Sequence, residues 1–178
     1  GTNAVGTTTV ANSTGVSVEG RENTISSNII SGNTVVGIDV IDNLNTISQN
    51  KIGPDITGNT ALANFGGITV SGSQNQILQN TVSGNTFGIV IAPFQESGTP
   101  IGNLVKGNFI GTNSSGNAAL QNTLDGIVIS NARTTIIGGL GPNIPTDRNI
   151  ISGNGRHGIS LAAGATQNRI SGNYIGTG

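Results

Sequence analysis

The side chains best suited to acid–base chemistry in this chain are Asp125, Arg156 and His157. Asp125 directly precedes Gly126, and Arg156-His157 directly precede Gly158, each at the head of the same short motif, Gly-apolar-any-apolar. A repeating fold therefore brings them to equivalent places in successive turns. A carboxylate beside an imidazole orients it for proton transfer, and an arginine neutralises an anionic substrate. The equivalent positions elsewhere hold Val36, Gly66 and Phe87, so the cluster has no further polar partner. An exposed turn carrying an ion pair is the simpler reading. Asp39 and Asp42 are the other acids worth weighing, because together with backbone carbonyls they offer oxygen ligands to a calcium ion. Their equivalents are Ser17 and Thr69 for Asp39, and Gly20 and Gly72 for Asp42, so no acid stacks on either. Glycoside hydrolysis requires two carboxylates roughly 5–10 Å apart, and no such pair of columns is present. The chain has no Cys and a single His, which excludes disulfides, thiolate catalysis and multi-His metal centres. No cofactor is expected, and no catalytic or metal-ligating residue is assigned.

Aromatic side chains are the usual sugar-stacking groups, and here there are five: Phe65, Phe87, Phe94, Phe109 and Tyr174. Phe109 and Tyr174 align with Ile29 and Lys51 in an outward column, with two turns expected between them. They join Arg156, His157 and Asp125 as candidate sugar contacts.

Charged residues make up 8 % of the 178-residue chain, against about 25 % in ordinary domains. Net charge is −1, and Gly supplies 29 positions. Disorder is not expected, because it goes with high net charge and few branched aliphatics, and Ile and Val are frequent here. The seven Lys and Arg are scattered, so nucleic acid is not an expected partner. No apolar run approaches the ~18 residues of a membrane span.

What positions these residues is an internal repeat. The Gly-apolar-any-apolar element begins at Gly15, Gly37, Gly67, Gly88, Gly126 and Gly158, at steps of 22, 30, 21, 38 and 32 residues. A second element, Asn-any-apolar-any-any-Asn-any-apolar, follows at 23–30, 45–52, 75–82, 103–110 and 168–175. It is degenerate once, at Thr134-Thr135-Ile136-Ile137, where Gly138 and Gly139 replace the second Asn. Ser-Gly-Asn recurs at 31–33, 83–85 and 152–154. A unit of 22 residues with three short apolar pieces predicts one coil of a β-solenoid with three strands per turn. Period-two alternation turns Val16 and Val18 inward and Ser17 outward. The segments Gly1-Thr-Asn-Ala-Val-Gly6, Gly53-Pro-Asp-Ile-Thr-Gly58 and Gly111-Thr-Asn-Ser-Ser-Gly116 align. Each opens a loop of about a dozen residues, closed by an apolar anchor, Val10, Leu62 or Leu120. Long coils thus alternate with short ones, giving about six coils. The repeat glycines are expected in turns that disfavour a Cβ. Asn28, Asn50, Asn80, Asn108 and Asn173 form one column at a bend, where Asn tolerates the left-handed conformation and its amide bonds the amides above and below.

Asn-Ile-Ile-Ser-Gly-Asn at 149–154, Gly-Ile-Ser-Leu at 158–161 and Asn-Arg-Ile-Ser-Gly-Asn-Tyr-Ile-Gly-Thr at 168–177 carry a resemblance to the pectate-lyase-like parallel β-helix repeats of large bacterial secreted or surface proteins. The resemblance covers nearly the whole chain and implies a right hand, which the spacing does not. The expected fold is all-β: a right-handed parallel β-helix forming a single domain over 1–178, as a piece of a longer solenoid or one subunit of a head-to-tail stack. Such folds include polysaccharide lyases, hydrolases and depolymerases, whose acids and bases this chain largely lacks. The expectation is therefore a non-enzymatic, extracellular or cell-surface spacer, stalk or filament subunit that self-associates through its strand edges. The alternative is a carbohydrate-active or carbohydrate-binding β-helix, with polysaccharide as partner.

Overall fold

The computed structural model describes residues 1–94, 98–139 and 144–176. The chain winds through three parallel six-stranded sheets, and each coil contributes one strand to each sheet. The first sheet stacks Thr14–Val18, Val36–Val40, Gly66–Val70, Phe87–Ile91, Ile127–Ile129 and Ile159–Leu161. The second stacks Thr24–Ser26, Thr46–Ser48, Gln76–Leu78, Leu104–Lys106, Ile136–Gly138 and Arg169–Ser171. The third stacks the two-residue strands Ile29–Ile30, Lys51–Ile52, Thr81–Val82, Phe109–Ile110, Ile150–Ile151 and Tyr174–Ile175. Each equivalent residue pairs in register with the next coil, as in Ser17 with Asp39 and Asp39 with Thr69. The expected six coils of a parallel β-helix are present, and at about 4.8 Å per coil they make a rod of ~29 Å.

Ile and Val form the core because β-branched side chains suit a pleated, half-buried surface. Ile38, Ile68, Ile89 and Ile127 form one fully buried inward column, and Ile47, Ile77, Val105 and Ile137 another. Val18 is buried, Val16 packs against the core and Ser17 faces out, as the alternation predicts.

Four of the six repeat glycines, Gly15, Gly37, Gly67 and Gly88, lie inside strands rather than in turns, and Gly126 and Gly158 sit at bends immediately before theirs. Gly37 lies inside the strand Val36–Val40, and an added Cβ would fall 2.8 Å from the Gly67 carbonyl oxygen, 2.8 Å from Ile52 Cγ2 and 3.0 Å from Asn64 Nδ2. Close approach of backbone, core and corner amide, rather than turn conformation, requires glycine there.

All three corners carry asparagine ladders. At the second-to-third corner the column runs Asn28, Asn50, Asn80, Asn108, Asn149, Asn173. Asn149 restores the rung that the sequence seemed to lose at Gly138-Gly139; a long insertion containing one helical turn, Ile144–Asp147, displaces it. Each Asn gives its backbone N–H to Oδ1 of the next; Asn50 N to Asn80 Oδ1 is 2.9 Å. Its Nδ2 reaches an inner carbonyl of the coil before, as Asn80 Nδ2 does to Ile47 O at 2.9 Å. The other corners use Asn23, Asn45, Asn75, Asn103 and Asn168, and Asn33, Asn64, Asn85, Asn122 and Asn154. The left-handed residue is not the Asn but the one before it: Ser27, Gln49, Gln79, Gly107 and Gly172 all have φ between 56° and 69°.

The three long loops are antiparallel hairpins, bridged at Thr2–Thr9, Pro54–Ala61 and Thr112–Ala119. They hydrogen-bond to one another, Ile56 N to Gly6 O at 3.0 Å and Ser114 N to Gly58 O at 3.2 Å. Of the three expected apolar anchors Val10 is 61 % exposed while Leu62 and Leu120 are half-buried, and backbone hydrogen bonds fasten the latter two loops, Gly32 N donating to Leu62 O and Gly84 N to Leu120 O. Gly176-Thr-Gly178 repeats the Gly-Thr opening of the segments at Gly1 and Gly111, and Thr177 and Gly178 lie outside the described residues.

Candidate functional site

The corner before the first sheet brings Asp125 of one coil against Arg156 and His157 of the next, held by Gly126 N to His157 O at 2.8 Å. The Asp125 carboxylate has no exposed surface, whereas Arg156 and His157 side chains are 55 % and 58 % exposed. Asp125 Oδ1 accepts from Arg156 Nε at 3.0 Å and His157 N at 3.1 Å, and lies 2.7 Å from His157 Nδ1. Arg156 Nη2 donates to Oδ2, which makes the arginine pair bidentate. Arg156 most strongly holds the Asp125 carboxyl below its ordinary pKa; burial opposes this, and the His157 contacts assist. The sequence-predicted cluster is therefore real. It is also closed on itself, because the carboxylate is saturated by its two neighbours. The His157 side chain is hydrogen-bonded to Asp125 through Nδ1.

The aromatic column is not a platform. One coil, not two, separates Phe109 from Tyr174, with Ile150 between them. Phe109 is half-buried under the 111–120 hairpin, where a Cβ on Gly116 would meet its ring. Arg148 stacks on Tyr174, its guanidinium carbon 3.9 Å from the ring centroid, and so occupies one face. Asp42 faces Arg21 at 3.8 Å and accepts from Asn43 N at 2.8 Å. Asp39 accepts from the Thr69 hydroxyl. No group of three or more His, Asp or Glu able to hold a metal occurs among the described residues.

Sequence reasoning missed a groove on the outward face of the first sheet. Phe65 and Phe87 meet edge to face, with centroids 5.9 Å apart. Together with Val35, Pro93 and Phe94 they wall a space of about 350 Å³ above Asp39, Thr69 and Val90. The signal was the aromatic just ahead of two successive repeat motifs, Phe65-Gly66-Gly67 and Phe87-Gly88.

The two terminal coils leave strand edges in all three sheets. Inward-column residues are exposed on the last coil: Leu161, Ile170 and Ile175. No protein family, curated protein or solved structure matches the chain.

Proposed function

We propose that this chain is a structural, non-enzymatic β-solenoid of the extracellular or cell-surface space, a rigid spacer, stalk or filament subunit extended by head-to-tail strand addition. The observation that carries the reading is the polarity of the asparagine ladders. In the ladder at the second-to-third corner every backbone N–H donates toward the C-terminal coil, from Asn28 N to Asn50 Oδ1 through Asn149 N to Asn173 Oδ1. The first coil thus offers Asn23 and Asn28 Oδ1 as acceptors, and the last offers the Asn168 and Asn173 N–H groups as donors. A further coil, in the same chain or a second copy, continues both ladders and the strand edges in register. It also covers Leu161, Ile170 and Ile175. Because head-to-tail contacts do not close, such stacking gives filaments. Low surface charge removes the repulsion that guards an edge.

Electron microscopy of the chain at high concentration tests the proposal. Rods many times ~29 Å long with an unbroken ~4.8 Å repeat are expected. Dispersed single rods, together with release of unsaturated or reducing ends from an acidic polysaccharide, would replace this reading with the carbohydrate-active one.

A further inference from the structure

The groove on the first sheet has a definite chemistry. Its floor is three paired neighbours on adjacent strands, Asp39, Thr69 and Val90. Phe65 and Phe87 stand at one end of the strands, and Pro93 and Phe94 follow the other end of Phe87–Ile91. The strand Phe87–Ile91 between these walls is ~13 Å long. Phe65 and Phe94 are 56 % and 55 % exposed, although both were free to be polar in a solvated position.

Polarity selects the occupant. The Thr69 hydroxyl donates to Asp39 Oδ1, which leaves the other carboxylate oxygen and the Thr69 lone pairs as acceptors. The Ser71 hydroxyl is directed to Val40 O at 3.4 Å. The described lining contains no basic residue, and Asp39 forms none of the ion pairs of the described structure. The described lining therefore carries one carboxylate without an ion-pair partner, presents side-chain acceptors, and is otherwise apolar. The described walls, Phe65, Phe87, Pro93 and Phe94, offer no side-chain hydrogen bond to the hydroxyl rim of a pyranose. One positive donor group on an apolar body satisfies every part: N–H to the carboxylate, and the cation and its hydrocarbon against the aromatic faces.

We propose that this groove binds a small hydrophobic primary amine in its ammonium form, with Asp39 as the charge partner and Phe65, Phe87 and Phe94 as the apolar walls. The site is independent of the spacer reading, since none of its residues belongs to a ladder or a terminal coil.

The test is an amide-shift titration of the intact chain with 2-phenylethylammonium chloride, with 2-phenylethanol as the uncharged analogue. Saturable shifts at the amides of residues 39, 65, 69 and 87 are expected, with the alcohol at least about tenfold weaker. Asp39→Asn keeps an acceptor for Thr69 and removes the charge; it should weaken the ammonium by about tenfold and leave the alcohol unchanged. Phe65→Ala should weaken both. Both side chains face outward, and an unchanged thermal midpoint confirms that the variants fold. Absence of saturation at these amides, equal binding of amine and alcohol, or unaltered amine binding by Asp39→Asn would each overturn the proposal.

Discussion

Thr135 interrupts one ladder, and replacing it tests whether the ladders hold the coils together. In the first-to-second corner Thr135 stands where the other described coils place Asn, between Asn103 and Asn168. Its N–H donates to Asn168 Oδ1 at 2.8 Å, but its own Oγ1 is buried with no partner, as is Asn75 Nδ2 two coils earlier. The Asn103 N–H therefore lacks the carboxamide oxygen that Asn75 N–H finds at 2.8 Å on Asn103. Thr135→Asn supplies that acceptor, supplies an Nδ2 for an inner carbonyl of the coil before, and removes the orphaned hydroxyl. Each net hydrogen bond is worth about 0.5–1.5 kcal/mol and an unsatisfied buried group costs about 1–3 kcal/mol. Loss of the β-branched methyl subtracts part of this, so the expected gain is ~1–3 kcal/mol. For a chain of this size that raises the thermal midpoint by roughly 3–9 °C. The mirror experiment is Asn80→Thr, which strips Asn50 N and Nδ2 of their acceptor and Ile47 O of its donor. It should lower the midpoint by a similar amount. Because repeat arrays can lose coils piecemeal, hydrogen exchange at the amides of residues 103–105 and 136–137 provides a local readout. Unchanged or faster exchange in Thr135→Asn, with Asn80→Thr equally silent, would refute the view that the ladders are a principal source of stability.

Gly37→Ala should destabilise by about 1–3 kcal/mol or more, as overpacking does, because its Cβ meets a carbonyl oxygen, a core methyl and a ladder amide at 2.8–3.0 Å; denaturant unfolding measures it, and an unchanged midpoint would contradict the packing. Gln79 holds φ at 56°, so Gln79→Val should cost about 1–2 kcal/mol and Gln79→Gly should cost less than Gln79→Val in the same assay. The Asp125 carboxyl is held below its ordinary pKa by Arg156 and His157. For Asp55, burial pushes upward but the Thr57 hydroxyl and the Thr60, Asn59 and Gly58 N–H groups outweigh it, so its pKa is also lowered. The folded state then binds fewer protons than the unfolded, so this stability is present above the ordinary Asp pKa of about 3.9 and is lost as pH falls through the folded values. Thermal midpoints should be level above pH ~5 and fall below pH ~4, and Asp125→Asn should make that fall shallower.

The fold was legible because its signals are local and repeat. Glycine, apolar pairs and Asn recur at fixed offsets, and each offset corresponds to one place on a coil. What was misread had the right position and the wrong physics. Gly37 and its equivalents looked like turn residues, since glycine in sequence does not distinguish a positive φ from a crowded strand. Asn80 looked like the left-handed residue, when Gln79 takes that conformation and Asn80 is freed to bond upward. Asn149 was hidden because an insertion moved it 11 residues beyond Gly138. At the candidate sites, the pairing of Asp125 with Arg156 and His157 followed from column arithmetic alone. The Phe65–Phe87 groove did not, because the wall formed by Pro93 and Phe94 comes from a segment outside the repeat.

The alternation of long and short coils follows from the geometry of the hairpins. A hairpin has two strands about 4.8 Å apart, so a stack of hairpins advances ~9.6 Å per member. The solenoid beneath advances ~4.8 Å per coil. A hairpin on every coil would therefore collide with its neighbour. On every third coil it would leave its edge N–H and C=O groups unpaired. On every second coil the two periods coincide, and each hairpin touches the next, as the Ile56–Gly6 and Ser114–Gly58 backbone hydrogen bonds record. The short coils fit beneath the resulting ridge with Ser-Gly-Asn, whose glycine lets the returning strand approach: a Cβ on Gly84 would fall 2.8 Å from Ala61 Cβ. The ridge is thus a fourth set of hydrogen bonds along the rod, outside the three sheets and commensurate with them only at two coils. It stiffens the stack against bending away from that side, and it makes the two-coil unit, rather than the single coil, the repeat by which such a rod can be lengthened without breaking its own register.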